Sequence, residues 1–224
     1  MSTTAANLSI RAALAATALS LMLGGCSALK PTASPAPLAF YSLDSSSVAP
    51  SAIPASRSAN APTLVVNETQ AAAGYDSQRI LYVREPHKLE YFAHSEWVDP
   101  PARMISSLIV GALDRSGAFR AVVSAPGSAS GDLRLETEVL LLQQEFASRP
   151  SQVRFGLRAY LVEDGTRRVV STRDFQATVP APTEDPYGGV QAANAAVQNV
   201  LDQLASFCAQ TAAGWQPSRK VGAR

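Results

Sequence analysis

Two histidines, two cysteines and one glycine-serine loop are the side chains in these 224 residues whose type and spacing suggest chemistry. His87, Glu90 and His94 form His-x2-Glu-x3-His. A helical zinc motif needs its two imidazoles four residues apart on one face. Here the segment reads as strand and loop, so both histidines are expected at a solvated surface. Residues 127–131 read Gly-Ser-Ala-Ser-Gly, with alanine where a hydrolase elbow carries its serine. No glycine-rich loop ends in Gly-Lys-Ser/Thr to cradle phosphate. Asp76, Asp99, Asp174 and Asp185 fall at turns, strand faces or caps, where structural reasons suffice. The residues assign no catalytic group, no metal site and no cofactor, and the chain reads as a protein that is not an enzyme.

Cys26 is different. Leu23-Gly24-Gly25-Cys26 resembles a bacterial lipobox, in which small residues precede a cysteine whose thiol takes a diacylglycerol and which cleavage then makes the first residue. Arg11 is the only charged side chain before it. The run from Ala12 to Leu23 is apolar, of signal-peptide length, and too short to span a hydrocarbon core. Residues 1–25 are therefore expected to be a removed signal peptide, with Cys26 the lipidation site. Ser27 follows the cysteine where aspartate would suggest retention at the inner membrane, so sorting leans to the outer membrane, with the domain in the periplasm.

Removing residues 1–25 leaves 199, enough for one domain of about 160 residues after a low-complexity lead-in. Those 199 carry 18 basic and 18 acidic side chains, a balance that gives no footprint for nucleic acid. With Cys26 acylated, Cys208 stands alone, so no disulfide framework exists. Its place on a helical apolar stripe makes it a small core residue.

Residues 26–37 read as a flexible tether and 44–62 as a mobile loop, both Ser/Ala/Pro-rich. Short strands are expected at Leu38–Leu43, Thr63–Glu68, Arg79–Arg84, Leu89–Phe92 and Phe119–Val123, with a turn at Glu85–Lys88. Asp99 is a candidate cap for a helix that opens with proline and carries Ala102, Ile105, Leu108, Ile109, Ala112 and Leu113 at three- and four-residue spacing. Leu133, Leu135, Thr137, Val139 and Leu141 alternate with charged residues; Val153, Phe155, Leu157, Ala159 and Leu161 repeat the pattern. After the Asp164-Gly165 turn a third strand carries Val169, Phe175, Ala177 and Val179 in phase. These three should form an antiparallel meander with one wet face, on which the acids of the first strand pair with the arginines of the second. Asp185-Pro186 caps a second helix with Val190, Ala193, Val197, Val200, Leu201, Leu204 and Cys208 on one stripe, ended by Gly214. Residues 214–224 read as a disordered tail. The fold class is α+β: an antiparallel or mixed sheet with two helices on one face, in a single two-layer domain spanning 38–213.

In a chain only 7% aromatic, Tyr82, Tyr91, Phe92 and Trp97 cluster within sixteen residues among His87, Lys88, Glu90, His94 and Glu96. They either fill the seam between sheet and first helix or form a partner-binding surface. Tyr91 and Phe92 are adjacent in a strand and so face opposite ways; one should point outward.

The order of Phe40-Tyr41-Ser42-Leu43, Gly74-Tyr75-Asp76, Arg79-Ile80-Leu81-Tyr82-Val83-Arg84, Leu89-Glu90-Tyr91-Phe92, Trp97, Pro101-Ala102-Arg103-Met104 and Phe119-Arg120-Ala121-Val122-Val123 resembles the ABC-type transport auxiliary lipoproteins. The resemblance runs from the lipobox to about Ala209; residues 44–62 match poorly. It implies an α+β domain, no catalytic residues, and an accessory role at the outer membrane. The implied partners are a periplasmic MCE-domain protein with its ABC permease and ATPase, in a system moving lipids or other hydrophobic compounds. A homo-oligomer, such as the rings common in membrane-bridging assemblies, stays open. The rival expectations are a structural outer-membrane assembly lipoprotein and a periplasmic hydrolase.

Overall fold

A computed structural model describes residues 37–44, 58–127 and 130–217. The signal peptide, Cys26, residues 26–36 of the tether, 45–57 of the loop and 218–224 of the tail lie outside the described residues.

The longest strand organises the sheet. β7 (Leu133–Glu145) runs antiparallel to β8 (Gln152–Glu163), and β8 to β9 (Val169–Pro180). At about 3.3 Å per residue β7 extends roughly 40 Å, long enough for three short strands to lie end to end along its other side. β2 (Thr63–Val66), β3 (Gln70–Ala71) and β4 (Arg79–Val83) do so, all parallel to it, with Leu64 opposite Leu133, Gln70 opposite Glu138 and Tyr82 opposite Gln144. Outside β2 lies β6 (Ala121–Ser124). Outside β4 lie β5 (Leu89–Trp97), antiparallel to it, and then β1 (Ala39–Tyr41), parallel to β5. The meander expected from the alternation is present and the sheet is mixed; which strand each short one pairs with, and β3 altogether, have no signature in the sequence.

One face of this sheet carries both helices, α1 (Pro101–Arg115) and α2 (Pro186–Gly214). Leu133, Leu135, Val139, Phe155, Leu157, Ala159 and Leu161 are sealed beneath them, with Ile105, Ile109, Val200, Leu201 and Leu204 from the helices. Each large aliphatic or aromatic side chain buried there contributes about 1.5–3 kcal/mol before entropy is charged against it. Cys208 is also enclosed, and burial pushes its thiol up to about 12.

Several local expectations need correction. Asp99 does not cap α1: Pro100 holds that position with no side-chain bond, and the Asp99 carboxylate lies 3.3 Å from Arg103. Asp185 does cap α2, its Oδ1 accepting from Gly188 N at 2.8 Å. β5 runs on through Trp97 instead of ending at Phe92. A register shift between Val139 and Leu141 inverts the alternation of β7, so Leu142 points into the core and Leu141 lies over Gly156. A second shift in the β8–β9 ladder sets Val169 opposite Val162, and Val169 is exposed. On the wet face Arg154 pairs with Glu145 at 2.8 Å, as a β7–β8 pair should, but Arg158 pairs with Asp174 of β9 at 2.7 Å.

Candidate functional site

The aromatic-rich stretch folds as the β4–β5 hairpin. Its turn, Glu85–Lys88, puts His87 at φ 67, a left-handed conformation that fits a tight reversal. Arg84 clamps the hairpin from strand to strand: Nε donates to Glu90 Oε2 at 2.9 Å and Nη2 to Oε1 at 2.6 Å. This two-pronged bond holds the Glu90 carboxyl below the usual carboxylate range.

The two faces of the hairpin differ. On the helix side Trp97 is 3% exposed and belongs to the core, which removes it as a contact residue. Tyr82 and Phe92 are half-buried and stack at 4.5 Å between ring centres, with Phe146 completing a triangle at 5.7 and 6.5 Å. Phe146 was missed in sequence because it lies one residue past β7, beyond the alternating pattern. On the opposite face Tyr91 is 50% exposed, and the Arg79 guanidinium sits 4.3 Å from its ring centre. A cation held over a ring stiffens an exposed aromatic without hiding it. Of the four aromatics singled out, then, one is presented, two are half-buried and one is interior.

At Val83 and Leu89, next to the hairpin turn, lies a cleft of about 530 Å³. Val83, Pro86, Leu89 and Ala147 supply apolar walls. Its floor is a polar chain: Tyr75 Oη donates to Gln143 Oε1 at 2.6 Å, Gln143 Nε2 to Glu145 Oε1 at 2.8 Å, and Arg154 Nη1 to the same oxygen at 2.8 Å. Burial raises the Tyr75 phenol above its ordinary value, so it is a hydrogen-bond donor throughout the physiological range. The arrangement can hold an apolar side chain or small amphiphile; it aligns no nucleophile with a base.

His87 and His94 are both exposed, at the turn and along β5. Among the described residues no three His, Cys, Asp or Glu side chains converge on a position that would hold a metal ion. No described helix is long and apolar enough to cross a membrane.

Residues 41–205 match the family of ABC-type transport auxiliary lipoprotein components, and the chain belongs to that family. The crystal structure of protein XCC0632 from Xanthomonas campestris superposes with a TM-score of 0.63 at 22% identity, covering 77% of this chain and 95% of that one. A second crystal structure, of an uncharacterized protein, gives 0.57 at 14% identity, covering 78% and 98%. At these identities the likeness shows the fold. A sequence comparison with curated proteins gives no match.

Proposed function

We propose, proceeding from that membership, that the chain is a non-catalytic accessory subunit, held at the outer membrane by acyl chains on Cys26 and docked in the periplasm onto an MCE-domain protein. An ABC permease and ATPase would power the system, and its cargo would be lipids or other hydrophobic compounds. Residues 26–37 serve as the tether and the domain from residue 38 as the docking body.

The lipobox-like sequence supports the anchor. Acyl chains hold a protein to a bilayer through about 0.8 kcal/mol per buried CH2, so a diacylglyceryl cysteine with a third chain anchors stably.

The observation that carries the docking half is Tyr91, an exposed tyrosine steadied by Arg79, two residues along β5 from Leu89, which lines the cleft. Tyrosine and arginine anchors beside a pocket are typical of interface centres. Tyr82 and Phe92 support this ridge from the other face.

In-cell photo-crosslinking tests the reading. A crosslinker at Tyr91 should trap an MCE-domain protein, and one at Gln176, exposed on β9, should not. An acylated, abundant protein that traps no MCE or ABC component from Tyr91 refutes the docking.

A further inference from the structure

We infer that the β1 edge of the domain is its membrane-facing surface, seated on the phospholipid of the bilayer that holds the anchor; this rests on the proposed acylation of Cys26. Among the described residues seven large apolar side chains are exposed; Leu89, Tyr91 and Val169 lie elsewhere, and the other four come together. Leu38, Phe40, Val98 and Tyr187, each between 44% and 58% exposed, gather at this one edge. Phe40 and Tyr41 are neighbours in a strand and face opposite ways, so the patch wraps around the edge. Phe40 lies on the outer face, opposite Glu96. On the helix side Tyr187 lies 6.4 Å from Tyr41, ring centre to ring centre. Val98 is tied in beside them, its N–H donating to Tyr41 O at 2.8 Å. The outer face along β7 to β9 is charged instead, with Arg134, Glu136, Arg158 and Asp174.

The length of chain leading to this edge says what covers it. Twelve residues lie between Cys26 and Ala39, so thirteen Cα-to-Cα steps join them. Fully extended they span at most about 45 Å. β1 is the first described strand after Cys26 in sequence, so the patch lies at the end of the domain to which the chain from the anchor leads. Its local concentration at the bilayer is then high, and a weak apolar contact suffices to hold it there. Exposed aromatic rings and aliphatic side chains on one edge suit the headgroup–acyl boundary. A protein strand is a poorer occupant, because β1 offers only three residues of backbone to pair with.

The test uses the full-length lipidated protein in vesicles of phosphatidylethanolamine and phosphatidylglycerol carrying dibrominated acyl chains. Phe40→Trp and Gln176→Trp each add one tryptophan at an exposed site. Most of the fluorescence added at position 40 should be quenched, and that added at 176 retained. Intact mass on the same preparation reads the acyl chains. With acylation present, equal quenching at both positions, or none at position 40, overturns the patch while the anchor stands. A crosslink from position 40 to a protein, a second copy included, likewise overturns it. A bare Cys26 thiol overturns the anchor and the patch together.

Discussion

The Arg79 guanidinium lies 4.3 Å from the centre of the Tyr91 ring, across the β4–β5 pairing. Tyr91 stands on the outer face while Trp97, six residues on in the same strand, is sealed in the core. The two rings should therefore separate binding from folding.

Tyr91→Ala is expected to leave thermal stability within about 0.5 kcal/mol and to weaken capture of the periplasmic partner by tenfold or more, about 1.4 kcal/mol. Trp97→Ala should cost about 3–5 kcal/mol of folding stability. Denaturant titration and partner copurification on the two variants check both halves.

Gly188 and Gly189 open α2 where it meets the chain before it and the sheet. A Cβ on Gly188 would overlap the backbone of Thr183, and one on Gly189 would overlap the buried Gln144 Oε1. Gly188→Ala should destabilise by about 1–3 kcal/mol. Gly189→Ala should cost less, because a side-chain end yields more readily than backbone. Gly165→Ala, with nothing within 4 Å of its Cβ, is the matched control. Urea midpoints order the three.

The Asp185 carboxyl is held below the usual carboxylate range by the Gly188 N–H and then by the Thr183 hydroxyl. Asp164 is held below it by the Arg134 guanidinium, bonded to it at 2.7 Å. A folded-state value below the unfolded one means that both groups stabilise the fold above the ordinary carboxylate range. That contribution is lost as pH falls through their depressed values. Denaturant unfolding followed from neutral pH to about 3 should show this loss, reduced in an Asp164→Asn, Asp185→Asn double variant. Asp185→Ala should by itself cost about 1 kcal/mol at neutral pH through the lost cap.

Cys208 is enclosed by the core, and its thiol is pushed up to about 12. Alkylation at neutral pH should be negligible in the native protein and become rapid once urea unfolds it. Labelling that proceeds without unfolding would contradict this burial.

The elements with local causes were legible. Asp185 caps α2 and Gly214 ends it, as the residue types imply. The alternation of β8 gave its buried face residue for residue, because side chains in an unbroken strand repeat every two residues. Legibility failed where the chain departs from its own period. The bulge before Leu141 and the shift at Val162 turned predicted inward residues outward, and neither has a glycine or proline at the slipped position of its strand. Among the aromatics, sequence placed Tyr91 and Phe92 on opposite faces but not which of the two faced out.

By itself the sequence determined two amphipathic helices, a three-strand meander, a lone core cysteine, the family-like order of motifs and a cysteine in a lipobox-like setting, all properties of short windows. Tertiary structure decided that β2, β3 and β4 tile along one side of β7, that Trp97 is interior while Tyr91 is presented, and that Leu38, Phe40, Val98 and Tyr187 meet at one edge. Parallel pairing brings together backbone groups nearly seventy residues apart, as Leu64 with Leu133. No local hydrogen bond or periodicity encodes such a partner; it is selected only when the whole apolar face closes at once.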